Sequence, residues 1–136
     1  MLTARQTDVL HAVLDRIIPP DDFPGAWDAG VGDYLFGQFR RDLADWLPIY
    51  RNGLEAIDAE AMATAGMGFV EMNAGAQDAL LWRVEAGRTT THWPVEPQRL
   101  FRALVLHAME GFYSDPGNGG NRDGVAWKMI GFEVQG

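Results

Sequence analysis

Asp115, Asn118, Asn121 and Asp123 crowd four oxygen-bearing side chains into one short stretch, interleaved with Gly117, Gly119, Gly120 and Gly124. Oxygen donors at that density suit a hard cation, and glycines let a backbone wrap one. A calcium loop counted from Asp115 puts Gly120 at the sharp turn. It also puts Gly117 and Gly119 where ligands belong, and Ala126 where a bidentate glutamate should close the site. The regular calcium loop therefore fails. Two readings stay open: an irregular metal site, and Asx turns in which Asp115 and Asn121 accept hydrogen bonds from loop amides.

Other chemistries fit less well. A phosphate-binding loop needs Lys-Ser or Lys-Thr after its last glycine, and here Val125-Ala126 follows Gly124. The dinucleotide fingerprint has Arg122 where its third glycine belongs, and a helical segment precedes it instead of a strand. His107 and Glu110 lie three residues apart, a spacing at which two side chains can share a helix face and bind a metal. No second such pair accompanies them, so a satisfied core histidine beside a polar neighbour is the reading. His11 and His92 have no ligand-like spacing to anything. Ser114 is the only serine and sits in no nucleophile elbow, and there is no cysteine, which removes thiolate nucleophiles, thiolate metal sites and disulfides. Asp21-Asp22 and Glu55 with Asp58 read as solvated turn and helix faces. No residue of the chain is assigned a catalytic, cofactor-binding or metal-binding role.

The aromatic residues point towards recognition. Trp27, Trp46, Trp82, Trp93 and Trp127 are many for 136 residues, and tryptophan is over-represented at the buried centres of interfaces. Core packing accounts for three of them. Trp93 and Trp127, flanked by loop residues, are the candidates for a surface that meets a partner.

Helices must position these groups. Thr3 and Gln6 form a capping box for a helix over about 4–17, whose apolar positions Val9, Leu10, Val13, Leu14 and Ile17 recur at helical spacing until Pro19-Pro20 stops it. A shorter second helix carries Trp27, Val31, Tyr34, Leu35 and Phe39 and is weakened by Gly30, Gly32 and Gly37. A third begins near Asp45, with Pro48 in its first turn, and ends at Gly66. Asn73 caps a fourth that ends before Gly87. The fifth runs from about Pro97 to Tyr113 and is apolar around most of its circumference, which predicts a central helix. Val125 to Ile130 adds one or two further turns. There is no alternating strand pattern and no repeat, so residues 1–136 read as one all-α domain: a compact bundle of five to six helices with a glycine-rich C-terminal loop.

The formal net charge of −8, with Lys128 as the only lysine, argues against nucleic acid and against an anionic membrane surface. No apolar run approaches the roughly 20 residues of a membrane span, so no direct membrane insertion is expected.

Three stretches together resemble the gluconate 2-dehydrogenase subunit 3 family. They are Asp15 to Asp22 continuing through Pro24-Gly25-Ala26 and Ala29-Gly30-Val31; Gly53 to Asp58; and Glu110 to Pro116 with Gly119 to Gly124, Trp127 and Ile130-Gly131-Phe132. The resemblance implies a non-catalytic small subunit of a flavin-dependent sugar or polyol dehydrogenase. Its large partner would be a flavoprotein of the glucose-methanol-choline type that carries FAD and the catalytic residues, and in such families a cytochrome subunit often passes electrons onward. The small chain itself would hold no cofactor. Its docking surface is expected to use Trp93, Tyr113, Asp115, Pro116, Gly119, Gly120, Asn121, Arg122, Trp127 and Phe132. Many members begin with a twin-arginine signal, whereas here the first helix starts at the N-terminus. The expected location is cytoplasmic, or periplasmic if a signal was removed or the partner carries one. The alternative is an independent helical metal- or ligand-binding protein using the Asp115–Asp123 loop.

Overall fold

Thr3 opens the first helix as its spacing predicts: the Gln6 amide donates to Thr3 Oγ1 at 3.1 Å, and the Thr3 amide donates back to Gln6 Oε1 at 2.9 Å. In a computed structural model that describes residues 1–21 and 23–114, five helices follow in order: α1 (Ala4–Ile17), α2 (Val31–Gln38), α3 (Leu47–Ala65), α4 (Ala74–Glu85) and α5 (Pro97–Phe112). Single 3-10 turns, Ala44–Trp46 and Phe69–Glu71, lead into α3 and follow it. The described residues contain no strand, and the fold class is all-α.

Local chemistry sets most of the boundaries. Pro48 lies in the first turn of α3, where its missing N–H costs nothing, and Gly66 ends that helix in the left-handed region at φ 71°. Asn73 Oδ1 accepts from the Ala76 amide at 2.8 Å and starts α4. The second helix is shorter than its apolar pattern suggests. Trp27 belongs to the turn before it, and α2 begins only after Gly30 at φ 94°.

The glycines of the helices are points of close contact. A methyl group on Gly53 would stand 2.5 Å from Leu100 Cδ2, one on Gly32 would meet the Trp27 ring at 2.6 Å, and one on Gly111 would meet Tyr34 at 2.7 Å. The propensity lost at Gly32 is thus exchanged for packing of an indole against bare backbone. Gly37 has no neighbour that explains it.

The core is shared by every helix. Leu10 and Leu14 of α1, Leu35 of α2, Leu54 and Ile57 of α3, Leu80 of α4 and Leu100 and Leu104 of α5 are fully buried, each contributing roughly 1.5–3 kcal/mol. Helix α5 packs against all four others, which makes it central as its composition predicts. It is not buried all round. Leu100, Ala103, Leu104, His107, Ala108, Gly111 and Phe112 face inward, while Leu106 and Met109 are exposed.

Two polar groups tie distant segments together. Asp58 was expected on a solvated face, but its carboxylate receives both the Nε and an Nη of Arg5 at 2.9 Å and the Phe69 amide at 2.8 Å, linking α1 to the turn after α3. Arg5 also reaches Glu71, and Glu55 accepts from Gln6 Nε2 at 2.8 Å. The second group is Glu60. Its side chain is fully buried and takes the amides and hydroxyls of both Thr90 and Thr91 at 2.7–3.1 Å, with the Trp93 indole N–H at 3.3 Å. Burial pushes this carboxyl upward, but the hydrogen bonds from Thr91 and Thr90 together outweigh it and hold it at about 2. The folded-state value therefore lies below the unfolded one of 4.5. The resulting stabilisation is complete above that unfolded value and is lost as the pH falls towards 2. Glu60→Gln should lower stability at pH 7 by about 3 kcal/mol and flatten the acid side of the profile, as read from denaturant midpoints between pH 7 and pH 3.

Candidate functional site

Two groupings of side chains stand out among the described residues, one interior and polar, the other exterior and apolar. The interior one begins with Tyr50 on α3 and His107 on α5, whose hydroxyl and Nδ1 lie 2.8 Å apart in a hydrogen bond between two buried residues. Their rings lie nearly parallel, and Phe39 meets Tyr50 edge-on. Trp46 meets His107 edge-on at 5.2 Å, and the Arg99 guanidinium lies over the Trp46 ring at 5.0 Å.

Burial pushes the His107 imidazole below its ordinary value, with the charge of nearby Glu110 pulling weakly the other way. Burial, and then Glu110, push the Tyr50 phenol far up. Both groups are therefore neutral in the middle of the pH range, and the bond satisfies two polar atoms that would otherwise be stranded. The arrangement matches the reading of His107 as a satisfied core histidine. Glu110 points outward from the same helix and is exposed. Among the described residues, no three His, Asp or Glu side chains are grouped as metal ligands would be.

The exterior grouping lies where α4 and α5 meet the end of α1. Ile17, Leu81, Phe101, Val105 and Met109 line an open groove of about 330 Å³, with Trp82 on its wall. It continues past Phe101, Leu106 and Met109 into a shallower depression of about 560 Å³. Trp82 is 70% exposed, Leu106 56% and Met109 39%. An indole with most of its surface in water, next to two further exposed apolar side chains, is the unusual feature of this surface.

The structure distributes the sequence candidates unevenly. Trp93 is half-buried, packed against the core, with its indole N–H directed at Glu60. Tyr113 is exposed beyond the end of α5, its ring edge-on to Phe112. Asp115, Pro116, Gly119, Gly120, Asn121, Arg122, Trp127 and Phe132 lie outside the described residues, as do the Asp115–Asp123 loop and the turns expected at Val125 to Ile130. Of the tryptophans assigned to packing, Trp27 stacks on His11 with 4.4 Å between ring centroids and Trp46 packs at the core margin, whereas Trp82 faces outward. The signal for Trp82 was present in the sequence. It falls beside Arg83 on a helix whose inward positions Leu80, Leu81 and Val84 already complete one face. Among the described residues, no helix is long and apolar enough to cross a membrane.

Protonation of His107 is disfavoured in the folded protein, so an unfolded chain takes up that proton first and stability declines as the pH drops below about 6.5. The ring protons of His107 should titrate below that value by NMR. Tyr50→Phe, which leaves Nδ1 without its partner, should cost about 1–2 kcal/mol at pH 7.5 by denaturant unfolding.

Comparison with known proteins bears on the chain as a whole. The family described as gluconate 2-dehydrogenase subunit 3 matches residues 4–136. No curated protein and no solved structure matches.

Proposed function

The chain belongs to the gluconate 2-dehydrogenase subunit 3 family, and from that premise we propose that it is a non-catalytic accessory subunit which binds and stabilises a FAD-dependent dehydrogenase of the glucose-methanol-choline type, acting on a sugar or sugar acid. The observation that carries this reading is the family match from residue 4 to residue 136, which makes the whole domain a subunit of a dehydrogenase complex. FAD and the reacting groups belong to the large partner, and a cytochrome subunit is the further component through which electrons leave. The complex works in the cytoplasm, or in the periplasm where an export signal accompanies one of its chains.

The chemistry of the small chain supports that division of labour. Among the described residues, the one buried histidine is committed to Tyr50, and the one fully buried carboxylate to Thr90, Thr91 and Trp93. Neither is poised towards a substrate. The rival metal-binding reading uses the Asp115–Asp123 loop, which lies outside the described residues; the Nδ1 of His107 is already bonded to Tyr50. Docking on the flavoprotein is assigned to the C-terminal stretch from Tyr113 to Phe132, with Asp115, Pro116, Gly119, Gly120, Asn121, Arg122, Trp127 and Phe132 as its contacts.

Co-expression with a flavoprotein dehydrogenase of this type from the same genome, followed by gel filtration, tests the proposal. A single peak containing both chains and flavin absorbance is expected, and separate elution would remove the reading. Trp127→Ala should then weaken the complex by roughly 2–4 kcal/mol, measured by calorimetry, without changing the melting temperature of the free subunit.

A further inference from the structure

We propose that the connection over residues 88–96 is a strap that opens and closes as one unit, and that Thr90, Thr91 and Trp93 in it form a carboxylate-binding nest which Glu60 fills from within the chain. The inference concerns the link between α4 and α5 and stands independently of any partner subunit. Among the described residues, every hydrogen bond made by residues 89–95 ends on Glu60. Arg88 still bonds back to Arg83 of α4, and Glu96 already accepts from Leu100 of α5, so the segment between them has no other polar tether. None of its side chains is fully buried, and its apolar hold is limited to Trp93 and Val95, packed at the core margin. It leaves α4 through Gly87 at φ 71° and enters α5 at Pro97. A segment with few buried apolar contacts and its backbone bonds gathered at one point opens at a lower free energy than the whole domain.

The donors suit a carboxylate. The amides of two successive residues, both of their hydroxyls and one indole N–H converge on its two oxygens at 2.7–3.3 Å. Successive backbone N–H groups make a concavity that takes an anion. All of these donors are neutral, and the ion pairs of the described residues are made elsewhere, so the anion is held by hydrogen bonds alone. Closure and occupancy are coupled. With the nest empty, a closed strap leaves its donors without partners, whereas an open one gives them to water. Opening also frees Trp93 and lifts Pro94 and Val95 from a pocket of about 270 Å³, whose other walls include Ile49 of α3 and Arg99 and Leu100 of α5. One carboxylate therefore controls access to both.

Hydrogen exchange on the full chain, followed residue by residue by NMR in rising sub-denaturing guanidinium, tests the strap. The amides of Thr90 and Thr91 should exchange together, at least about tenfold faster than those of Leu54 and Ile57 in α3, and with little dependence on denaturant. Exchange of the two threonine amides only at the rate of the α3 amides would mean that the strap opens with the whole domain, and would overturn the unit. Glu60→Ala tests the nest, because it removes a fragment the size of acetate and leaves every donor in place. Sodium acetate should raise the melting temperature of that variant by about 3 °C or more beyond its effect on the parent, whereas sodium chloride at the same ionic strength should not. A variant that folds only with acetate present supports the assignment equally. No gain from acetate over chloride, in melting temperature or in refolding, overturns it.

Discussion

A buried carboxylate must be answered by donors, and Glu60 is answered by a single connection. Thr90 and Thr91 each give it an amide and a hydroxyl, and Trp93 adds its indole N–H, so the segment between α4 and α5 is drawn onto the middle of α3. Charge-assisted bonds of this kind are short and strong, and the buried anion would be costly without them. Their placement fixes where the chain can enter α5. Pro97 then starts the helix with its missing N–H in the first turn, and Leu100 arrives against Gly53. The orientation of the helix that touches all the others is thus tied to one ionised group on α3.

From that orientation the remaining features follow in order. The inward face of α5 brings His107 to Tyr50 and Gly111 to Tyr34, completing the core with one hydrogen bond and one close contact. Its outward face is left beside Trp82 and the end of α1, where it makes a groove. The exposed ion pairs weigh less in this balance. Arg5 with Asp58 and Glu71 is half in water, and such pairs contribute between nothing and about 1 kcal/mol, against several buried leucines each worth more. They orient the turn after α3 more than they stabilise the domain.

Much of this was legible in the residues because the signals are local. Thr3 with Gln6, Asn73, Pro48 and Gly66 each act within one helical turn, and each ends or begins a helix where its chemistry says. His107 was legible for a different reason: a lone histidine on an apolar face needs one partner, and Tyr50 supplies it. What the sequence hid depends on distance. Glu60 lies on a helix like any other glutamate, and its donors come from far along the chain, so nothing nearby distinguishes it. The partner of Asp58 was missed for the same reason, since Arg5 is remote in sequence. Periodicity also cannot tell a helix buried on two faces from one that buries a face and offers the other, which is why the all-round apolar pattern of α5 predicted centrality correctly and exposure not at all. Gly32 was read as weakening its helix, although it, like Gly53, is a point where a neighbour comes closest. The loop that supplied the first candidates lies outside the described residues, so the site legible in structure is the groove and not the loop.

The contact of Gly53 with Leu100 has a meaning beyond packing. With no side chain on one partner and a branched one filling the space on the other, the two positions share a single volume, and Gly53 can be enlarged only where Leu100 shrinks or shifts. For anyone recombining segments of related chains, α3 and α5 can be taken from different parents only where the residues at 53 and 100 still fit that one volume. This pair then constrains where such a chimera can be cut, as does Gly111 with Tyr34 between α5 and α2.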